Sequence, residues 1–104
     1  MIRIALTTFP DETAAARSVR TLVSEGPAAC GTLVPGARSI YRWQGQIEDS
    51  SETLVIFKLA AERQEAFRER LLSLHPYDIP ELAFLAPEGV HPPYADWVCG
   101  LPQA

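Results

Sequence analysis

Two apolar arms meet at a glycine-bearing reversal between Ala28 and Leu59, and this stretch constrains the chain more than any other. The outgoing arm is Ala28-Ala29-Cys30-Gly31-Thr32-Leu33-Val34. It is broken at Pro35-Gly36 and resumes as Ser39-Ile40-Tyr41-Arg42-Trp43. The chain turns at Gln44-Gly45-Gln46 and returns through Ile47 to Glu52 and then Thr53 to Leu59. β-Branched and aromatic residues with Gly at the turn predict a β-hairpin. Its arms exceed the usual strand of about five or six residues. Tyr41 and Trp43 stand two residues apart and so share a face near the tip. Large aromatics on a projecting hairpin call for a partner surface, so the element is expected to be an assembly arm.

The rest of the chain supplies the elements that hold this arm. Met1 to Phe9 predicts a strand, stopped at Pro10-Asp11, with Asp11 able to cap the next helix. Ala15, Ala16, Val19, Leu22 and Val23 predict an amphipathic helix over Glu12 to Ser24, ended by Gly26-Pro27. Leu54 to Phe57 is apolar throughout, as in a central strand buried on both faces. A second helix is expected from about Glu62 to Leu74, with Phe67, Leu71 and Leu74 on one stripe. His75 precedes Pro76 and leaves helical geometry. Ile79 to Ala86 predicts a fourth strand, placed at an edge by Pro80. Tyr94 to Cys99 predicts a short final element.

The order β-α-β-β-α-β plus a tail predicts an α+β fold. It is a ferredoxin-like sandwich, an antiparallel sheet with both helices on one face, in a single domain spanning residues 1–104. The other face then lacks cover and calls for a partner. A net charge of −4 argues against a nucleic-acid binder. No apolar run reaches the ~20 residues of a membrane span, and the N-terminus is too strand-like for a signal peptide. Together with two distant cysteines, Cys30 and Cys99, these features predict a cytoplasmic protein with free thiols.

Several side chains are candidates for chemistry. His75-Pro76-Tyr77-Asp78-Ile79-Pro80-Glu81 is the densest polar motif. It reads either as a metal ligand or proton shuttle at His75, with Tyr77 and Glu81 beside it, or as a rigid joint tied to the backbone. Lys58 is the single lysine among nine basic residues. At the end of an apolar strand it calls for a carboxylate from Glu81, Glu52 or Glu48, of this chain or a neighbour. It either walls a small anion or metabolite site with Tyr41 and Trp43 or forms a structural ion pair at a subunit junction. Glu48, Asp49 and Glu52 form an acidic run, either a solvated face or a site for hard divalent cations. Cys30, His75 and His91 are the ordinary softer ligands, with Cys99 less well placed. Their spacing closes no zinc or copper site within one chain, which leaves a site completed across subunits. No phosphate loop of the Walker type and no G-x-S-x-G elbow is present. The loop Thr7-Thr8-Phe9-Pro10-Asp11-Glu12 is acidic where an anion-binding loop would carry Arg. An enzyme is therefore not expected.

Ala29-Cys30, Ser39-Ile40-Tyr41-x-Trp43-x-Gly45-x-Ile47-Glu48, Glu52, Lys58, Leu74-His75-Pro76-Tyr77, Pro80-Glu81 and Tyr94-x-x-Trp97 together resemble the CutA family of divalent-cation tolerance proteins. The resemblance spans nearly the whole chain. It implies a homotrimer with the hairpins packed between subunits and a link to tolerance of copper and other divalent metals. No cofactor is required, with Cu2+ or another divalent cation as the implied ligand. Cys30 and His75 match positions suspected of metal binding. Tyr41, Trp43, Glu48, Glu52, Lys58, Tyr77, Glu81 and Trp97 match the polar and aromatic pattern around the inter-subunit cleft. The architecture is also similar to PII-type signalling trimers, so the alternative is a small-molecule sensor or protein-docking scaffold without a physiological metal. Gly31 stands where the family commonly has Asn, Gln46 replaces a frequent Lys, and Leu59 a frequent Thr. His91 stands in place of a frequent Asn or Asp.

Overall fold

The computed structural model describes residues 1–100. Strand β1 (Ile2–Phe9) ends where Asp11 caps helix α1 (Glu12–Glu25), its carboxylate accepting from the Ala14 N–H at 2.8 Å. Gly26 closes α1 with φ 105°, a left-handed conformation that glycine adopts without strain. The hairpin is β2 (Cys30–Trp43) and β3 (Gln46–Ala60), joined by the two-residue turn Gln44-Gly45 with both φ values positive. A 3-10 turn (Ala61–Arg63) leads into α2 (Gln64–Leu74), which stops at His75 in extended geometry. A short β4 (Ala83–Leu85) and helix α3 (Pro92–Val98) follow.

The sheet order is β2-β3-β1-β4, with every pairing antiparallel. Ala5 and Phe9 of β1 and Val55, Phe57 and Leu59 of β3 face Ala15, Val19 and Leu22 of α1 and Phe67 and Leu71 of α2. Both helices thus cover one face. Phe57 and Phe67 meet edge to face at 4.9 Å, the geometry that aligns a positive ring edge with a negative ring face.

Two expectations are corrected. The fourth strand spans Ala83–Leu85, not Ile79–Ala86. Pro80 has no N–H for a ladder, and the segment ahead of Ala83 bends away from β1 instead of pairing. β4 does occupy a sheet edge. Leu54 and Ile56 do not both disappear into a core: Ile56 is half-buried, so the apolar run of β3 is fully covered on the helix side only. α3 shelters one end of the other face, where Val98 is buried and the Cys30 thiol lies 3.7 Å from the Tyr94 hydroxyl.

The hairpin outgrows the sheet. β1 pairs with β3 only from Thr53 to Ala60. Gln46 to Glu52 therefore extends beyond β1, a projection of about 23 Å at ~3.3 Å per residue. The long molecular axis measures 52 Å against 26 and 22 Å for the others.

Candidate functional site

A bulge in β2 creates the site. Val34 pairs with Leu54, yet Ala37 pairs with Glu52. β2 thus spends one more residue than β3 at Pro35-Gly36, with Gly36 at φ 77°. Side chains alternate across a strand, so the extra residue exchanges its faces. Cys30, Thr32 and Val34 point away from the helices before the bulge. Ala37, Ser39, Tyr41 and Trp43 do so after it. Tyr41 and Trp43 consequently join Thr8 of β1 and Glu52 of β3 in lining a cleft of about 870 Å³. The segment from Pro76 to Glu81 forms the opposite wall, contributing Tyr77, Asp78 and Glu81. This volume lies within the roughly 300–1,000 Å³ range of small-molecule sites. Three aromatic rings and three carboxylates line it, and no Lys, Arg or His of the described residues does so.

A chain of hydrogen bonds fixes the cleft wall. Glu52 is only 7% exposed, and its Oε2 accepts from the Tyr77 hydroxyl at 2.6 Å. The Tyr77 backbone N–H donates to His75 Nδ1 at 3.1 Å. Nδ1 therefore carries the lone pair, and Nε2–H donates to the Thr8 carbonyl at 2.8 Å. The imidazole also stacks on Phe9 with ring centres 4.4 Å apart. His75 is thus a joint between the end of α2 and the end of β1, with both ring nitrogens engaged. Burial, followed by the Glu52 hydrogen bond, pushes the Tyr77 hydroxyl well above its ordinary range and keeps it protonated as a donor.

Burial lowers the His75 pKa below its ordinary 6.5, outweighing the opposing effects of the Thr8 carbonyl and Glu52. Native His75 is neutral, so the unfolded chain takes up the proton first as pH falls. Its contribution to stability is complete above about pH 6.5 and is lost as pH drops through that value toward the native pKa. Thermal melts between about pH 7.5 and 5.5 will therefore show a falling midpoint, with a shallower slope in His75→Gln. Equal slopes in the two proteins would remove His75 as the source.

The remaining candidates lie elsewhere. Cys30 pairs with Lys58, which pairs with Ile4, whereas the cleft begins at Thr8. Four residues of strand separate the two places by about 13 Å. Cys30 and His75, expected together as metal ligands, are not brought together within one chain. Lys58 does not wall the cleft with Tyr41 and Trp43. Nor does it meet Glu81, Glu52 or Glu48: its ammonium donates to Thr32 Oγ1 at 2.8 Å and the Ile56 carbonyl at 3.2 Å. Lys58 is only half-buried, so water and two neutral acceptors replace the carboxylate that full burial would demand. Beside it, burial and the Cys30 contact raise the Tyr94 hydroxyl to about 12, and Trp97 stacks on Tyr94 at 5.8 Å.

The acidic run also divides. Glu48 sits opposite Tyr41 near the exposed tip. Asp49 points to the other face and forms a two-pronged ion pair with Arg38 at 2.8 and 2.6 Å. His91 is exposed, and its backbone carbonyl starts α3 by accepting from Tyr94 and Ala95. Among the described residues, no three His, Cys, Asp or Glu side chains come together as metal ligands. A single chain therefore does not fit a resident metal ion. Asp78 was not among the expected site residues, although the motif from His75 to Glu81 contains it. Its place at the cleft depends on the fold of that segment across from the hairpin, which spacing does not reveal.

Residues 3–100 match the family described as "CutA1 divalent ion tolerance protein". The chain is 40% identical over 95 residues to the divalent-cation tolerance protein CutA of Pectobacterium atrosepticum, covering 91% of this chain and 86% of that one. Its structure is similar to that of the divalent cation tolerance protein (Cut A1) of Thermus thermophilus, with TM-score 0.91 and 37% identity over 96% and 97% of the two chains. It is also similar to a protein called periplasmic divalent cation tolerance protein CutA from Archaeoglobus fulgidus. There the TM-score is 0.90 and the identity 26%, over 94% and 95% of the two chains.

Proposed function

The chain belongs to the CutA1 divalent ion tolerance family, and from that premise we propose a non-catalytic homotrimer that serves metal tolerance through sites completed between subunits. The observation that carries this reading is the hairpin. It projects about 23 Å past β1 at the ordinary strand rise, and its tip leaves Ile40 and Ile47 each 63% exposed beside the cleft. Apolar side chains held that far from a core are sheltered by sister chains. The sheet order and crossovers support a ferredoxin-like sandwich as the unit that assembles. The reading as non-catalytic rests on His75, the imidazole beside the cleft, whose ring nitrogens are both committed to structural hydrogen bonds.

Copper or another divalent cation is the proposed cargo, bound where neighbouring chains add ligands to those of one protomer. Cys30 is a free thiol, and Glu48 and His91 are exposed, so all three are open to a sister chain. His75 would first have to break a hydrogen bond. Calorimetric titration of the purified trimer with Cu2+ tests the assignment. Affinity falls by about tenfold or more in Cys30→Ala, ~1.4 kcal/mol or above for one lost ligand, and is unchanged in His75→Gln. Loss in His75→Gln with retention in Cys30→Ala would move the metal to the imidazole.

No helix among the described residues is long and apolar enough to cross a membrane. Two free cysteines favour a cytoplasmic location. The cleft supports a second reading as a ligand sensor of PII type, because its aromatic walls suit an organic molecule better than a bare ion.

A further inference from the structure

We propose that the cleft takes a small organic cation, an alkylammonium head group held between the rings of Tyr41, Trp43 and Tyr77 and the carboxylate of Glu52. The proposal rests on the reading of the cleft as a ligand site and names the class of that ligand. One of the two sequence readings of Lys58 placed it here, walling a small anion or metabolite site with Tyr41 and Trp43. The structure removes Lys58 to the far end of the sheet face, and the charge of the cleft changes sign. Glu52, Asp78 and Glu81 supply the only formal charges on its lining among the described residues.

Glu52 is the decisive residue. It is more than nine-tenths buried and faces the cleft, yet Tyr77 satisfies only Oε2. Among the described residues, none donates a hydrogen bond to Oε1, and no cationic side chain pairs with the carboxylate. Oε1 is itself not fully buried: it opens from an otherwise covered side chain onto the cleft, where a cation can reach it. Asp78 and Glu81 extend the negative potential to the mouth of the cleft. That arrangement attracts cations before they bind.

The aromatic walls decide which kind of cation. A hard divalent ion prefers about six or more oxygen ligands, and these carboxylates do not converge as a metal-ligand group. A weakly hydrated alkylammonium gains from the negative faces of aromatic rings and does not need an oxygen cage. Its apolar shell fits the space between Trp43 and Tyr77, and its charge is answered by Glu52.

The test uses the full-length protein with Trp97→Phe, so that Trp43 is the sole tryptophan reporter. Tetramethylammonium chloride is titrated at ionic strength held constant with sodium chloride. Trp43 emission is expected to change saturably, while the neutral isostere neopentyl alcohol needs about tenfold or more higher concentration, as for a lost cation–π and charge contact. Glu52→Gln raises the tetramethylammonium midpoint by a similar factor. If Glu52→Gln does not fold, Asp78→Asn/Glu81→Gln, away from the buried carboxylate, raises it as well. Equal midpoints for the charged and neutral probes would overturn the proposal. Saturation by acetate or phosphate in place of tetramethylammonium would overturn the ligand class and leave the cleft as a binding site. Saturation by none of the probes would overturn both readings.

Discussion

Replacing Ile40 and Ile47 together by Asp is expected to convert the proposed three-chain particle into single chains, read as a threefold fall in mass by light scattering. Both residues lie on the hairpin beyond Thr53, where β1 no longer pairs. By register, Ile40 faces with Asp49, and Arg42 with Ile47, on the side opposite Tyr41 and Trp43. The substitutions therefore replace neither aromatic ring, although Ile40 also borders the cleft. Each isoleucine is 63% exposed in one chain. Burying such a side chain is worth ~1.5–3 kcal/mol, so six of them in a trimer contribute roughly 10 kcal/mol. Asp adds the cost of an unpaired charge at a closed interface, several kcal/mol per site. Circular dichroism will show the sheet and helices intact, because the core of β1, β3, α1 and α2 does not include the tip. An unchanged mass in the double variant would mean that the arms are not the assembly element.

The parts of this fold that follow local rules were legible in the chain. Asp11 caps α1 because its short carboxylate reaches a free N–H three residues on. His75 ends α2 because Pro76 excludes helical geometry before it. The turn at Gln44-Gly45 follows from glycine at a positive φ. Lys58 shows where local reasoning stopped. An ammonium at the end of an apolar run reads as buried, but its burial depends on what covers that sheet face. One chain covers it only in part. The distance between Cys30 and His75 within one chain was out of reach for a related reason. Residues so far apart in the chain are joined by the register of three strands, and no spacing rule fixes that register. Pro35-Gly36 was readable as a break, but its consequence was not. The exchange of faces that turns Tyr41 and Trp43 toward Glu52 appears only once Val34 is paired with Leu54 and Ala37 with Glu52. The cleft is thus a long-range product of one extra residue.

Gly31→Asn, the residue that the family resemblance leads one to expect after Cys30, will destabilise this protein by ~2–4 kcal/mol. Gly31 pairs with Phe57 and faces the core between the sheet and α1. A Cβ placed there stands 2.9 Å from Val19 Cγ1 and 3.0 Å from Phe57 Cε1. Neither neighbour yields easily. Val19 is β-branched on a helix, with one strongly preferred rotamer. Phe57 is fully buried and wedged against Phe67. The Asn amide would in addition enter an apolar layer without a partner. For a domain of this size each kcal/mol shifts the melting midpoint by about 4–8 °C, so a fall of roughly 10 °C or more is expected at fixed protein concentration. Val19→Ala removes the closest clash. The Gly31→Asn/Val19→Ala double variant will therefore be less destabilised than the sum of its parts, with a coupling of ~0.5 kcal/mol or more. Strict additivity would place the strain elsewhere. A midpoint within about 2 °C of the parent in Gly31→Asn alone, under ~0.5 kcal/mol, would show that α1 withdraws from the sheet at little cost.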